Sequence, residues 1–109
     1  MRFLALLRGS GSVEIAAYGV ADAEDQVTKE LSRALPGAKI ELPSIHREGP
    51  RRIVESFTIG YQVRIEIPTE AEDRDSARRK AMSTARDALR DTRFARIAWD
   101  RADLRPLSS

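Results

Sequence analysis

Cysteine is absent from the 109 residues, which excludes disulfides, thiolate zinc sites, iron–sulfur clusters and cysteine nucleophiles. Histidine occurs once, at His46, so no two-histidine zinc motif forms within one chain. The longer apolar run near the start, Phe3 to Leu7, is shorter than a signal-peptide core or a membrane span, and a cytoplasmic, non-membrane protein is expected. Nothing in the sequence calls for a cofactor or a metal. Lysine is scarce: it stands only at positions 29, 39 and 80, so 16 of the 19 cationic residues are arginine. Arginine binds phosphate and carboxylate in forks where lysine acts as a point charge, although GC-rich coding bias gives the same composition.

What is present is the make-up of one well-hydrated globular domain. Hydrophobic residues are 41% and charged residues 33% of the chain, unlike a disordered tail, and the length suits a single core. Against the 19 cations stand 17 acidic residues, a net charge of +2 and a weak pull toward polyanions.

An approximate internal duplication organises the chain. Val13-Glu-Ile15 leads through Ala23-Glu-Asp25 and a helical stretch to Ala38-Lys-Ile40; Val63-Arg-Ile65 leads through Ala71-Glu-Asp73 and a second helical stretch to Ala95-Arg-Ile97. The first helix is expected to be capped by Asp22, to bury Val27, Leu31, Ala34 and Leu35, and to end at Pro36-Gly37. The second is expected from about Glu70 to Asp91, opened by the Thr69-x-x-Glu72 capping box and buried through Ala77, Ala81, Ala85 and Ala88. Phe57, Ile59, Tyr61, Val63, Ile65 and Ile67 alternate with more polar residues, which predicts a long strand. Strands are also expected over Ala38 to Ile45 and Phe94 to Asp100, with Arg47-Glu-Gly-Pro-Arg51 as the turn of a hairpin. Phe3 to Arg8 reads as an additional N-terminal strand, either folded back by Gly9-Ser10-Gly11 against Val13 to Gly19 or paired with another subunit.

Without that first strand, the order resembles the ferredoxin-like α+β sandwich, a split βαβ repeat whose antiparallel sheet carries two helices on one face. Residues 1–100 then form one domain and 101–109 a polar C-terminal tail. The bare sheet face would hold Lys39, Glu41, Thr58, Gln62, Arg64, Glu66 and Arg96. It offers neither aromatic platforms for base stacking nor the lining of a large apolar cavity.

Three groups of residues are candidate sites. Arg79, Arg86, Arg90 and Arg93, with Ser83, fall near one line of the second helix, and Arg47, Arg51 and Arg52 stand at the hairpin tip; two such clusters suit the phosphates of a nucleic-acid backbone. Tyr18, His46 and Trp99, with Glu41 or Glu55 as base, would serve an enzyme with an interface pocket. Glu70, Glu72, Asp73 and Asp75 are accounted for by helix capping and i,i+4 pairs without an ion. With no catalytic constellation in view, the expected function is a non-enzymatic interaction or assembly module, a homo-oligomer and first of all a dimer, joined through sheet edges or through the N-terminal strand.

Overall fold

From Phe3 to Ala17 every odd-numbered residue is apolar or glycine, whereas most even-numbered residues are polar. This unbroken period of two draws out a single strand, β1 (Arg2–Ala17), whose odd positions face inward. It is followed by α1 (Val20–Ala34), β2 (Lys39–Glu48), β3 (Glu55–Glu70), α2 (Arg74–Leu89), β4 (Ala98–Trp99) and β5 (Asp103–Pro106). The structure is a computed structural model that describes residues 1–50, 52–100 and 102–107. It is an α+β fold in which an antiparallel sheet of order β2-β3-β1-β4, with β5 also on β1, carries both helices on its inward face. No helix among the described residues is long and apolar enough to cross a membrane.

The expected fold-back at Gly9-Ser10-Gly11 is corrected by this strand. All sixteen residues of β1 pair with β3 in one register, from Arg2 opposite Glu70 to Ala17 opposite Glu55. The two glycines serve packing. A Cβ on Gly9 would lie 2.6 Å from Ile97 Cδ1 and 2.8 Å from Trp99 Cε3, and one on Gly11 would lie 2.6 Å from Tyr61 Oη. Neither glycine has a positive φ, so close approach rather than turn geometry requires them.

Sixteen paired residues at ~3.4 Å each make a sheet ~54 Å long, and the longest extent of the molecule is 55 Å, against 21 and 20 Å across. The radius of gyration is 16.1 Å, where a compact chain of this length has ~13 Å. The helices cover different halves of the long strands. Ala23, Val27 and Leu31 of α1 pack with Val13, Ile15, Phe57 and Ile59, and Phe94 closes this cluster edge-on to Tyr61 at 5.1 Å between ring centroids. Ala77, Ala81 and Ala85 of α2 pack at the other half, against Phe3, Ala5 and Leu7; alanines let this helix lie close to the strands.

Several element boundaries differ from the expectations. Gly19 is the N-cap of α1 and offers no side-chain cap; Asp22 stands in the first turn and reaches back, its Oδ2 accepting from the Tyr18 amide at 2.9 Å. The alternation of β3 continues through Thr69 and Glu70, so α2 starts at Arg74 and its N-cap is Asp73, whose carboxylate accepts from the Ser76 amide at 2.7 Å. β2 extends through His46 and Arg47 to Glu48, and its register shifts between Glu41 and Ser44. Pro43, in that irregularity, has no amide to offer a ladder. α2 ends at Leu89 and hydrogen-bonded turns occupy residues 92–97, which reduces the last expected strand to Ala98–Trp99. In the expected tail, Asp103–Pro106 pairs with Phe3–Leu6 and Ala102 is buried, because β4 leaves the start of β1 uncovered.

Two outcomes follow. Gly11→Ala destabilises the fold by about 1–3 kcal/mol through overpacking, and Tyr61→Phe, which removes the nearest atom, recovers part of that loss; denaturant titration of the two single variants and the double variant measures the coupling. The amide of Ser76 holds the Asp73 carboxyl below the usual aspartate value. A lowered folded-state pKa gives stability that is present above the unfolded value and is lost as pH falls through the folded one. Asp73→Ala therefore melts earlier than the parent at neutral pH, and the two melting temperatures converge in acid below the ordinary aspartate range.

Candidate interaction surfaces

The residues of the supposed enzyme pocket do not meet. Tyr18 follows the end of β1 and is 75% exposed. Trp99 pairs with Gly9 on the inward side, eight residues or ~27 Å back along β1, and its Nε1 is buried with no hydrogen-bond partner among the described residues. His46 lies opposite Thr58 on the outer face of β2 and is exposed. Of the two candidate bases, Glu41 is exposed on that outer face, while Glu55 is buried at the first rung of β3.

The hairpin-tip cations separate as well. The one-residue shift within β2 places Arg47 opposite Phe57, on the inward side. There its Nε lies 3.1 Å from Glu55 Oε1 and its guanidinium 5.7 Å from the Phe57 ring centroid. Arg47 thus balances a buried carboxylate and is not a free cation. Arg52 is exposed beside Tyr18 and Ile53, and Arg51 lies outside the described residues.

The arginines of α2 do come together, with one loss and one gain. Arg79, Ser83, Arg86 and Arg90 line a groove of about 500 Å³ floored by Met82 and Ala102. Arg93 lies past the end of the helix, so its projected position in the stripe is corrected: its Nη2 donates to Glu30 Oε1 of α1 at 2.8 Å. Arg78 joins the groove instead. Its Nε donates to the Ala102 carbonyl at 3.2 Å, tying α2 to the segment between β4 and β5. Helical spacing alone does not reveal Arg78, because its partner becomes a neighbour only when β5 docks on β1.

Two further features come from the pairing of the long strands. Arg8 stands opposite Arg64, and Arg64 opposite Lys39, so three cations form one row across the outer face with Glu41 and Glu66 on the same face beside them. Like charges directly opposite oppose sheet pairing. The second feature lies at the Ala17–Glu55 end of the sheet. Tyr18, Val20, Ile53 and Val54 are exposed there, Ile53 to 85%, all within three residues of that rung. On the edge of β1 away from β3, β4 covers Gly9 and Ser10 and β5 covers Phe3 to Leu6. Among the described residues no strand covers Gly11 to Ala17.

Among the described residues no group of three or more His, Asp or Glu side chains is placed to hold a metal ion. Asp73 caps α2, Asp75 Oδ1 lies 3.4 Å from Arg78, and the Glu70 carbonyl accepts from Lys80 Nζ at 2.9 Å.

No family model matches the chain, and no curated protein does. A solved structure of a hydantoinase/carbamoylase family amidase from Burkholderia ambifaria aligns over 96% of this chain at 14% identity and a TM-score of 0.31. The chain spans 28% of that amidase chain.

Removing one partner of the Arg47–Glu55 pair leaves a buried carboxylate without its counter-ion. Arg47→Met keeps an apolar stem over Phe57 and is expected to cost about 1–3 kcal/mol. Adding Glu55→Leu restores much of the loss, which a double-mutant denaturation cycle reads directly.

Proposed function

We propose that the protein is an assembly module that joins copies of itself through the end of the sheet where β1 leaves its edge unpaired. The observation that carries this reading is the presence, at one end of the sheet, of an open strand edge and four exposed apolar side chains. The edge can be followed residue by residue. The carbonyls of Arg2 and Arg8 accept from Leu107 and Asp100 on the side away from β3. In a strand of unbroken register, the backbone groups of alternate residues point the same way, so those of Ser12, Glu14 and Ala16 point to the same side. Gln26 Nε2 donates to the Ala16 carbonyl at 3.2 Å; among the described residues nothing pairs with the outward backbone groups of Ser12 and Glu14, which leaves them open to a further strand.

Surface area supports the reading. A compact monomer of this mass exposes ~6,100 Å², whereas this chain exposes 7314 Å². The excess of ~1,200 Å² accompanies the elongated shape and is more than the ~600–1,000 Å² that each partner of a standard interface buries. The opposite edge, β2, is less suited to pairing, since Pro43 and the register shift interrupt it and exposed Lys39, Glu41 and Glu48 flank the break. We read the architecture as a ferredoxin-like βαββαβ sandwich stretched along its strands, with β5 added to it. The strand order β2-β3-β1-β4, with both helices on one face, supports this.

Sedimentation equilibrium tests the assembly. The expected result is reversible self-association in the micromolar range, weakened at least tenfold by Ile53→Asp with Val54→Asp. Both positions are solvent-facing, so the melting temperature of the variant stays close to that of the parent. Glu14→Pro removes an amide that the β3 ladder does not use and blocks strand addition as well. A strict monomer at high micromolar concentration overturns the proposal.

A further inference from the structure

We propose that the groove between α2 and the β4–β5 corner binds the sugar-phosphate backbone of a nucleic-acid strand without selecting bases. Its lining sets four arginines, at positions 78, 79, 86 and 90, against one acid, Asp87, which pairs with Arg90. The four do not play one part. Arg78 is held by the Ala102 carbonyl and by Asp75, so it builds the wall of the groove. Among the described residues Arg79 donates only to the neutral Ser76 hydroxyl, at 3.2 Å, and Arg86 has neither an ion pair nor a side-chain hydrogen bond. Arg86 and Arg90 stand four residues apart, where like charges repel across one helical turn. An anion seated between them relieves that repulsion and takes up the unpaired fork of Arg86.

Length points to a polymer. From Arg79 to Arg90 the helix rises ~16 Å, too far for a single phosphate group and suited to several successive charges of a polyanion. Ser83 adds a hydroxyl donor midway along the array, and the floor of Met82 and Ala102 accepts the apolar faces of sugars. Among the described residues no aromatic side chain lines the groove, so base stacking contributes nothing and contacts fall on the backbone, which carries no sequence information. The groove lies on α2, over the Phe3–Leu7 half of the sheet, and the assembly surface lies at the Ala17–Glu55 end. A strand is therefore bound without competing with the association of copies.

Fluorescence anisotropy of the full chain with a labelled single-stranded DNA of about 15 nucleotides, titrated over a range of salt, tests the proposal. Binding is expected at low salt, with a slope of log affinity against log salt near −2, the value for about three neutralised phosphates on a single strand. Arg86→Gln with Arg90→Gln lowers affinity at least tenfold and flattens that slope by more than one unit. Arg8→Gln with Arg64→Gln removes the same charge from the outer face of the sheet and leaves both affinity and slope near those of the parent. Equal losses in the two double variants would reduce the effect to net charge and overturn the proposal. So would the absence of binding at low salt, or capture of inorganic polyphosphate with no capture of the oligonucleotide. Circular dichroism of each variant reports whether the fold is retained, and Arg79→Gln offers a second groove variant if the first pair fails to fold.

Discussion

Backbone pairing between β1 and β3 runs unbroken over sixteen rungs, and the other elements take their positions from it. The length of the ladder makes the molecule elongated, places the helices over different halves of the sheet, and leaves two short strands to cover an edge longer than they can reach. Continuity depends on two small contacts. Gly9 admits Ile97 and Trp99, and Gly11 admits the Tyr61 hydroxyl. At both positions a side chain would occupy space that a cross-strand neighbour fills, Trp99 together with Ile97 at Gly9 and Tyr61 at Gly11.

Charge is distributed by the same ladder. Arginines that look equivalent in composition have different situations once the strands are paired: Arg47 neutralises buried Glu55, Arg93 reaches Glu30 on the other helix, and Arg78 fastens α2 to the chain after β4. Arg79 and Arg86 remain without acidic partners among the described residues. The net charge of +2 therefore understates the local concentration of cations, because the acids are spent at caps, at i,i+3 and i,i+4 pairs and beneath the hairpin.

Much of the architecture was legible as periodicity. The alternation from Phe57 to Ile67 marks β3 and its inward set, the apolar spacing of Val27 and Leu31 marks the buried face of α1, and the alanine series marks that of α2. The polar character of the outer face was legible too, since Glu41, Gln62, Arg64 and Glu66 are exposed on it. Local chemistry misled where one residue type serves two ends. Gly9-Ser10-Gly11 carries the composition of a turn and fills the interior of a strand; Thr69-x-x-Glu72 carries the pattern of a capping box and precedes the cap actually used, Asp73.

What the amino-acid sequence determined by itself is the set of local periods: which segments become strand or helix and which faces turn inward, because burial of apolar side chains follows spacing along the chain. Tertiary structure alone decided which side chains meet across those segments. Arg78 finds Ala102, Arg8 faces Arg64, and Tyr18 joins Ile53 because register and docking bring together residues far apart in the chain, and no local pattern encodes those distances.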